Sequence, residues 1–109
     1  MVKTITVTTV KMELVKVVIE KLKSIVVFKV LLALDDMENK NIKANISQFL
    51  NYIKMRPETF YKYKDLLIEL NLIRETRSEA FPFNIYITLT EKGKRIVEKI
   101  KEIEKILSE

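Results

Sequence analysis

Neither cysteine nor histidine occurs in the 109 residues, and glycine occurs only once, at Gly93. Without cysteine there is no disulfide, no thiolate metal ligand and no cysteine nucleophile. Without histidine the commonest general base and the commonest transition-metal ligand are gone. A single glycine cannot build a phosphate-cradling loop. These absences argue against an enzyme, and no cofactor or metal is expected. Long hydrophobic runs are missing too. No stretch reaches about 18 uncharged apolar residues, so no membrane span is expected. The most apolar segment, SIVVFKVLLAL at 24–34, is short and carries Lys29, which suits a buried helix. The opening MVKTITVTTVK is too polar for a signal peptide, which points to the cytoplasm.

What is present suits one domain spanning 1–109. Apolar residues make up 48%, enough for one modest core. Twenty basic residues against 15 acidic ones give a net charge of +5, which permits nucleic-acid binding without demanding it. Richness in Lys, Glu and Ile with a single glutamine is a bias of thermophile proteins.

Residues 2–10, VKTITVTTV, are β-branched and partly alternating, and read as an arm or an edge strand. From Lys11 the period changes. Met12, Val15, Val18 or Ile19, and Leu22 recur at helical steps, predicting an N-terminal helix over 11–23. Ser24 is a break or N-cap before a second helix, about 25–36, although one long helix could cover both. DDMENKNIK at 35–43 reads as a polar loop ending in a short strand. Asn45 or Ser47 can cap the next helix, whose Ile46, Phe49, Leu50 and Ile53 share a face. Arg56 precedes proline and marks a boundary, and Pro57 suits a first helical position.

In RPETFYKYKDLLIELNLI, at 56–73, Phe60, Tyr63, Leu67 and Leu70 line one face. Glu58, Tyr61, Lys62, Asp65 and Glu69 line the other. Asn71 stands where a left-handed C-terminal residue is expected. LIRETR and NIYITLT read as two strands joined by SEAFPF. Two aromatics flanking a proline, Phe81-Pro82-Phe83, suggest burial: against the core, against a second subunit, or less readily as a wedge in DNA. Thr90 can cap a last helix over 91–109. There Ile96, Ile100, Ile103 and Leu107 step by four, three and four, a coiled-coil seam of about two heptads.

The order is helix, short strand, helix, tight turn, helix, hairpin, helix. It resembles a winged helix-turn-helix domain, with a core at 24–90. Thr59, Phe60, Leu67, Leu70, Leu72 and Ile73 match the pattern around the recognition helix of that superfamily, with Asn71 in place of the usual glycine. Leu89, Thr90 and Gly93 match the L-T-x-x-G signature that follows the wing in MarR-like and PadR-like transcriptional regulators of archaea and bacteria. The likeness covers roughly residues 25–97. Lys64 departs from it, standing where an apolar residue is common, and Tyr63 is expected to take over its packing.

The resemblance implies a mainly α fold with a small β-hairpin wing (α+β) and N- and C-terminal dimerisation helices. It implies double-stranded DNA as partner and a role in transcription regulation, with the protein associated with the nucleoid. Thr59, Tyr61 and Lys62 would read bases from the major groove. Lys43, Lys54, Arg56, Lys64, Arg74 and Arg77 would meet the DNA backbone. Charge position fits. Residues 40–77 carry eight basic and four acidic side chains, a surplus of +4, whereas 78–109 carry six of each. Glu58, Asp65 and Glu69 count the other way, because they repel phosphate. Met12, Val15, Ile19, Leu22, Ile96, Ile100, Ile103 and Leu107 would form a homodimer interface, or else cap the core of a monomer. A cleft between the dimer helices and the DNA-binding lobes could hold a small apolar effector, though no residue pattern asks for one. Rival readings are a winged-helix protein-interaction module and an architectural DNA binder with little sequence preference.

Overall fold

A computed structural model describes residues 2–81 and 84–109, the first ten of these by their backbone. Pro82 and Phe83, part of the expected aromatic hairpin tip, lie outside them. The described fold is α+β: five helices and one two-stranded antiparallel hairpin, an arrangement compatible with a winged helix. In chain order these are α1 (Val2–Ser24), α2 (Val26–Asn39), α3 (Ile46–Ile53), α4 (Pro57–Glu69), β1 (Ile73–Arg77), β2 (Ile85–Leu89) and α5 (Glu91–Leu107).

The first residues depart from expectation. The segment 2–10 is neither an arm nor an edge strand but the opening of α1. An edge strand needs a neighbour, and the only sheet among the described residues is β1–β2. Once a helix exists from residue 11 onward, each added residue gains a backbone bond without a new nucleus. β-Branched side chains cost only fractions of a kcal/mol apiece there. No glycine or proline interrupts the segment.

Ser24 does break the chain, but not as a cap. Its hydroxyl donates back to the Lys21 carbonyl at 2.7 Å. Ile25 is extended, at φ −61° and ψ 123°, and α2 starts with no side-chain cap. α2 is the central rod: Val30, Leu31 and Leu34 are fully buried. It also runs past the expected end at Asp36, absorbing half of the predicted polar loop. It stops where Asn41 turns left-handed at φ 58°. The Asn41 and Ile42 amides then donate to the Glu38 and Met37 carbonyls. The expected short strand shrinks to one bridge, Asn45 to Tyr86.

Local signals set the remaining ends. The Asn45 side chain caps α3, accepting from the Gln48 amide at 2.8 Å, so Asn45 rather than Ser47 is the cap. Pro57 opens α4 after an extended Arg56. Asn71, at φ 60°, closes α4. The Asn71 amide reaches Ile68 and the Leu72 amide reaches Leu67, each at 2.9 Å. This paired closure satisfies carbonyls that a helix end otherwise leaves open. Leu72 and Ile73 are buried directly after it and lead into β1.

The hairpin pairs Ile73 with Leu89 at its base and Arg77 with Ile85 toward its tip. Ile73, Ile87 and Leu89 face the core. The Glu38 carboxylate accepts from the Leu89 amide at 3.0 Å, tying β2 to α2. The tip is closed by the Ser78 amide on the Asn84 carbonyl and the Asn84 amide on the Ser78 hydroxyl. Phe81 stands beyond this closure and is 86% exposed, so it does not fold back on the core as its apolar ring suggests.

Thr90 joins α4 to α5. Its hydroxyl accepts from the Gly93 amide at 3.0 Å and donates to the Asn71 carbonyl at 2.6 Å. Its amide reaches the Leu72 carbonyl at 3.1 Å. Gly93 packs so closely on Leu72 that an added Cβ would fall onto that residue's carbonyl oxygen.

The first half of the predicted α5 seam serves this core. Ile100 is buried and Ile96 packs partly buried against the cluster, so neither is free for a second subunit. The molecule measures 66 × 25 × 25 Å, with a radius of gyration of 17.3 Å. A compact chain of this length would have about 13 Å. A helix the length of α1 spans about 35 Å, which accounts for the elongation.

Candidate nucleic-acid interface

Three elements converge on one side of the molecule. The Asn45–Tyr86 bridge and the Ile87 amide on the Ala44 carbonyl, at 2.9 Å, bring the start of α3 against β2. Lys64 on α4 reaches Glu75 on β1 at 2.8 Å. Between them lies a cleft of roughly 220 Å³, lined by Asn45, Ile46, Ser47, Tyr61, Asn84 and Ile85.

The outer side of α4 carries Glu58, Tyr61, Lys62, Asp65 and Glu69, all exposed, as their spacing predicts. Tyr61 is 47% exposed, and its ring meets Phe60 edge-on at 5.6 Å, so it is anchored at its base and open at its tip. The Lys62 ammonium lies 5.8 Å from the centre of the Tyr63 ring. Thr59 is half-buried beside these two. The inner side differs from expectation in two places. Phe60 and Leu67 are buried, but Leu70 is 47% exposed because α4 ends there. Lys64 takes an inward position, and Tyr63 is half-buried beside it. Its side chain is only 14% exposed and bonded to Glu75, which removes it from the set of cations open to a DNA backbone.

The other expected backbone-contacting residues are exposed. Lys43 precedes α3, with its ammonium 4.3 Å from the centre of the Tyr86 ring. Lys54 and Arg56 occupy the turn into α4, Lys54 in a left-handed conformation at φ 53°. Arg74 and Arg77 lie on β1, where alternation puts them on opposite faces. Arg77 shares the Glu75 face toward α4, and Arg74 points away from it. Sequence reasoning missed Ser47 as a wall of the cleft. The signal was available, since Ser47 is the second residue of a helix that Asn45 caps.

The ion pairs are unevenly placed. Among the described residues, Lys23–Glu104, Lys40–Asp36, Lys94–Glu91, Lys99–Glu102 and Lys101–Asp35 all belong to α1, α2 and α5 or their ends. On the α3–α4–hairpin side the one ion pair is Lys64–Glu75. Lys43, Lys54, Arg56, Lys62, Arg74 and Arg77 form no ion pair and are exposed. Lys40, counted in the basic surplus of this region, is spent on Asp36 at 3.1 Å and on the Tyr52 hydroxyl at 3.0 Å. On the far side, the hydrogen bond from Lys101 to Asp35 holds that ammonium's pKa above its usual value.

At the other end of the molecule, Met12, Val15 and Ile19 of α1 and Leu107 of α5 line a mainly apolar groove of roughly 360 Å³. Lys23 and Glu104, 3.4 Å apart, tie the two helices beside it. Leu22 is half-buried and Ile103 is 43% exposed. Leu14, Val17, Val18 and Ile106 are exposed here too, although the spacing argument named none of them for an interface except Val18 as an alternative to Ile19. No helix among the described residues is long and apolar enough to cross a membrane.

No protein-family model and no curated protein sequence matches this chain.

Proposed function

We propose that this protein is a homodimeric winged helix-turn-helix regulator that binds double-stranded DNA at a preferred sequence, with α4 as its recognition helix and the hairpin as its wing. One observation carries the reading. The exposed cations of the α3–α4–hairpin side have no carboxylate partners, whereas the ion-paired lysines elsewhere are confined to α1, α2 and α5. Among the described residues six such cations stand beside a single ion pair on this side, whereas α1, α2 and α5 hold five ion pairs alongside their own unpaired Lys16, Lys21, Lys29, Lys92, Arg95 and Lys105. The lower share of pairing suits an anionic, extended partner. In this arrangement the N-terminal half of α4 enters the major groove, and Thr59, Tyr61 and Lys62 meet base edges. Lys43, Lys54 and Arg56 flank it on phosphates, and Arg77 follows the backbone from the wing. The exposed apolar stripe of α1, with Ile103, Ile106 and Leu107, pairs with its counterpart in a second copy. That places two recognition helices about one DNA turn apart.

A second reading draws on a specific feature. Glu58, Asp65 and Glu69 run along the outward midline of α4 and oppose a phosphate backbone, which suits a protein-interaction module. A mobility-shift series on random duplex DNA at several salt concentrations decides. The DNA reading expects binding at low salt that weakens with a log–log slope of about −3.6 per protomer, as for about four phosphate contacts. It also expects a selected sequence to outcompete random duplex. Absence of binding at the lowest salt favours the interaction module, and binding without preference favours an architectural role.

A further inference from the structure

Lys64 occupies an inward-facing position on α4 and is ion-paired there. Its Nζ lies 2.8 Å from Glu75 Oε2, with the two side chains only 14% and 23% exposed. The same Nζ stands 5.2 Å from the centre of the Tyr61 ring. That ring meets Phe60 edge-on, and Phe60 in turn leans on Phe49, each pair with centroids 5.6 Å apart. Filling such a position with a partly dehydrated ion pair is costly, because apolar replacements are commonly neutral or stabilising. An ion pair supplies direction instead. Glu75 belongs to β1 and Lys64 to α4, so the pair sets the hairpin against the helix. Through the cation it also steadies an exposed aromatic ring.

We propose that Lys64 and Glu75 are positioning residues for nucleic-acid recognition. The carboxylate of β1 holds the ammonium, and the ammonium holds the Tyr61 ring in one orientation at the surface. Lys64 then makes no phosphate contact. The inference rests on the DNA-binding reading above, and its test separates the two.

Removing a carboxylate from a DNA-facing surface ordinarily strengthens binding, because repulsion is lost. Positioning predicts the opposite sign. Glu75→Gln is expected to weaken duplex binding about fivefold, the size of one lost coupling in a side-chain network. Lys64→Met is expected to weaken it similarly while leaving the slope of log K against log salt unchanged, since no phosphate contact is lost. The exchanged pair Lys64→Glu/Glu75→Lys restores the ion pair but sets a carboxylate beside the Tyr61 ring, so most of the affinity that Lys64→Glu loses is not recovered. In the DNA-free protein, Glu75→Gln shifts the Tyr61 ring resonances, assigned through Tyr61→Phe. Tighter binding by Glu75→Gln, or a slope shallower by about one in Lys64→Met, overturns the proposal. Unshifted Tyr61 resonances overturn it whatever the DNA result. Failure of the unsubstituted chain to bind any duplex removes the DNA-binding reading and the recognition role with it, while the ring resonances still report whether the pair holds Tyr61.

Discussion

A single methyl group at Gly93 would collide with the chain's own backbone. The position is helical, so the glycine is not there for a left-handed conformation. It is there because the Leu72 carbonyl oxygen sits where a Cβ would be. Backbone cannot swing aside as a flexible side chain can. Gly93→Ala is therefore expected to cost about 2–4 kcal/mol, in the range of overpacking and strain combined, measured as a lowered midpoint in chemical denaturation. An unchanged midpoint would mean that α4 and α5 are not bolted together here. The left-handed positions tell the complementary story, since they fall on Asn41, Lys54 and Asn71 rather than on glycine. Asparagine tolerates this conformation and lysine does so poorly. Lys54→Gly is expected to raise stability by roughly 0.5–1 kcal/mol and at the same time to weaken DNA binding, so calorimetry and a mobility shift should move in opposite directions.

At the scale of elements, α4 and the hairpin behave as one unit held by Lys64–Glu75, and α5 is tied to α4 by Thr90. Lys62→Ala and Arg77→Ala are expected to weaken duplex binding uniformly across sequences for a phosphate contact, or selectively for a base contact. If both leave affinity untouched, the contact surface lies elsewhere. On the opposite side Lys101 links α5 to Asp35 of α2 at 2.7 Å. Its pKa is raised, first by that hydrogen bond, so its contribution is fully present below the unfolded lysine value of about 10.4. The contribution is lost as pH climbs through the folded value. Lys101→Met should accordingly lower stability slightly at neutral pH and flatten the alkaline end of the profile, where the variant and the wild type converge. The effect is small, because the lysine is exposed and screened. A steeper alkaline loss in the variant would contradict this assignment.

For the whole molecule, the elongated shape leaves several described apolar side chains of α1 exposed. Met12 and Leu14 are each 60% exposed, and Val17 and Val18 nearly half so. A lone helix presenting such a stripe is unstable without packing. Val18→Glu with Ile106→Glu is expected to convert a dimer into a monomer in sedimentation equilibrium. Affinity for a two-half-site duplex should then drop far more than affinity for a single half-site. A wild-type chain that sediments as a monomer would end the dimeric reading.

The sequence alone determined the element order and most of the ends. Asn45, Pro57, Asn71 and Thr90 act on backbone groups within three or four residues, and such local bonds need no knowledge of the rest of the chain. The buried stripe of α3 was legible for the same reason, since periodicity is a local property, and the apolar run of α2 marked it as a buried helix. Only the tertiary structure decided the rest. It made residues 2–10 helical, because the described residues offer no third strand for them to pair with. It turned Lys64 inward, because Glu75 approaches from a strand eleven residues away. It drew Ile96 and Ile100 into the core and left Met12, Leu14, Ile103 and Ile106 exposed. It also sorted the cations into paired and unpaired sets. Burial and ion pairing depend on what arrives from distant parts of the chain, and no spacing rule along one segment can record that.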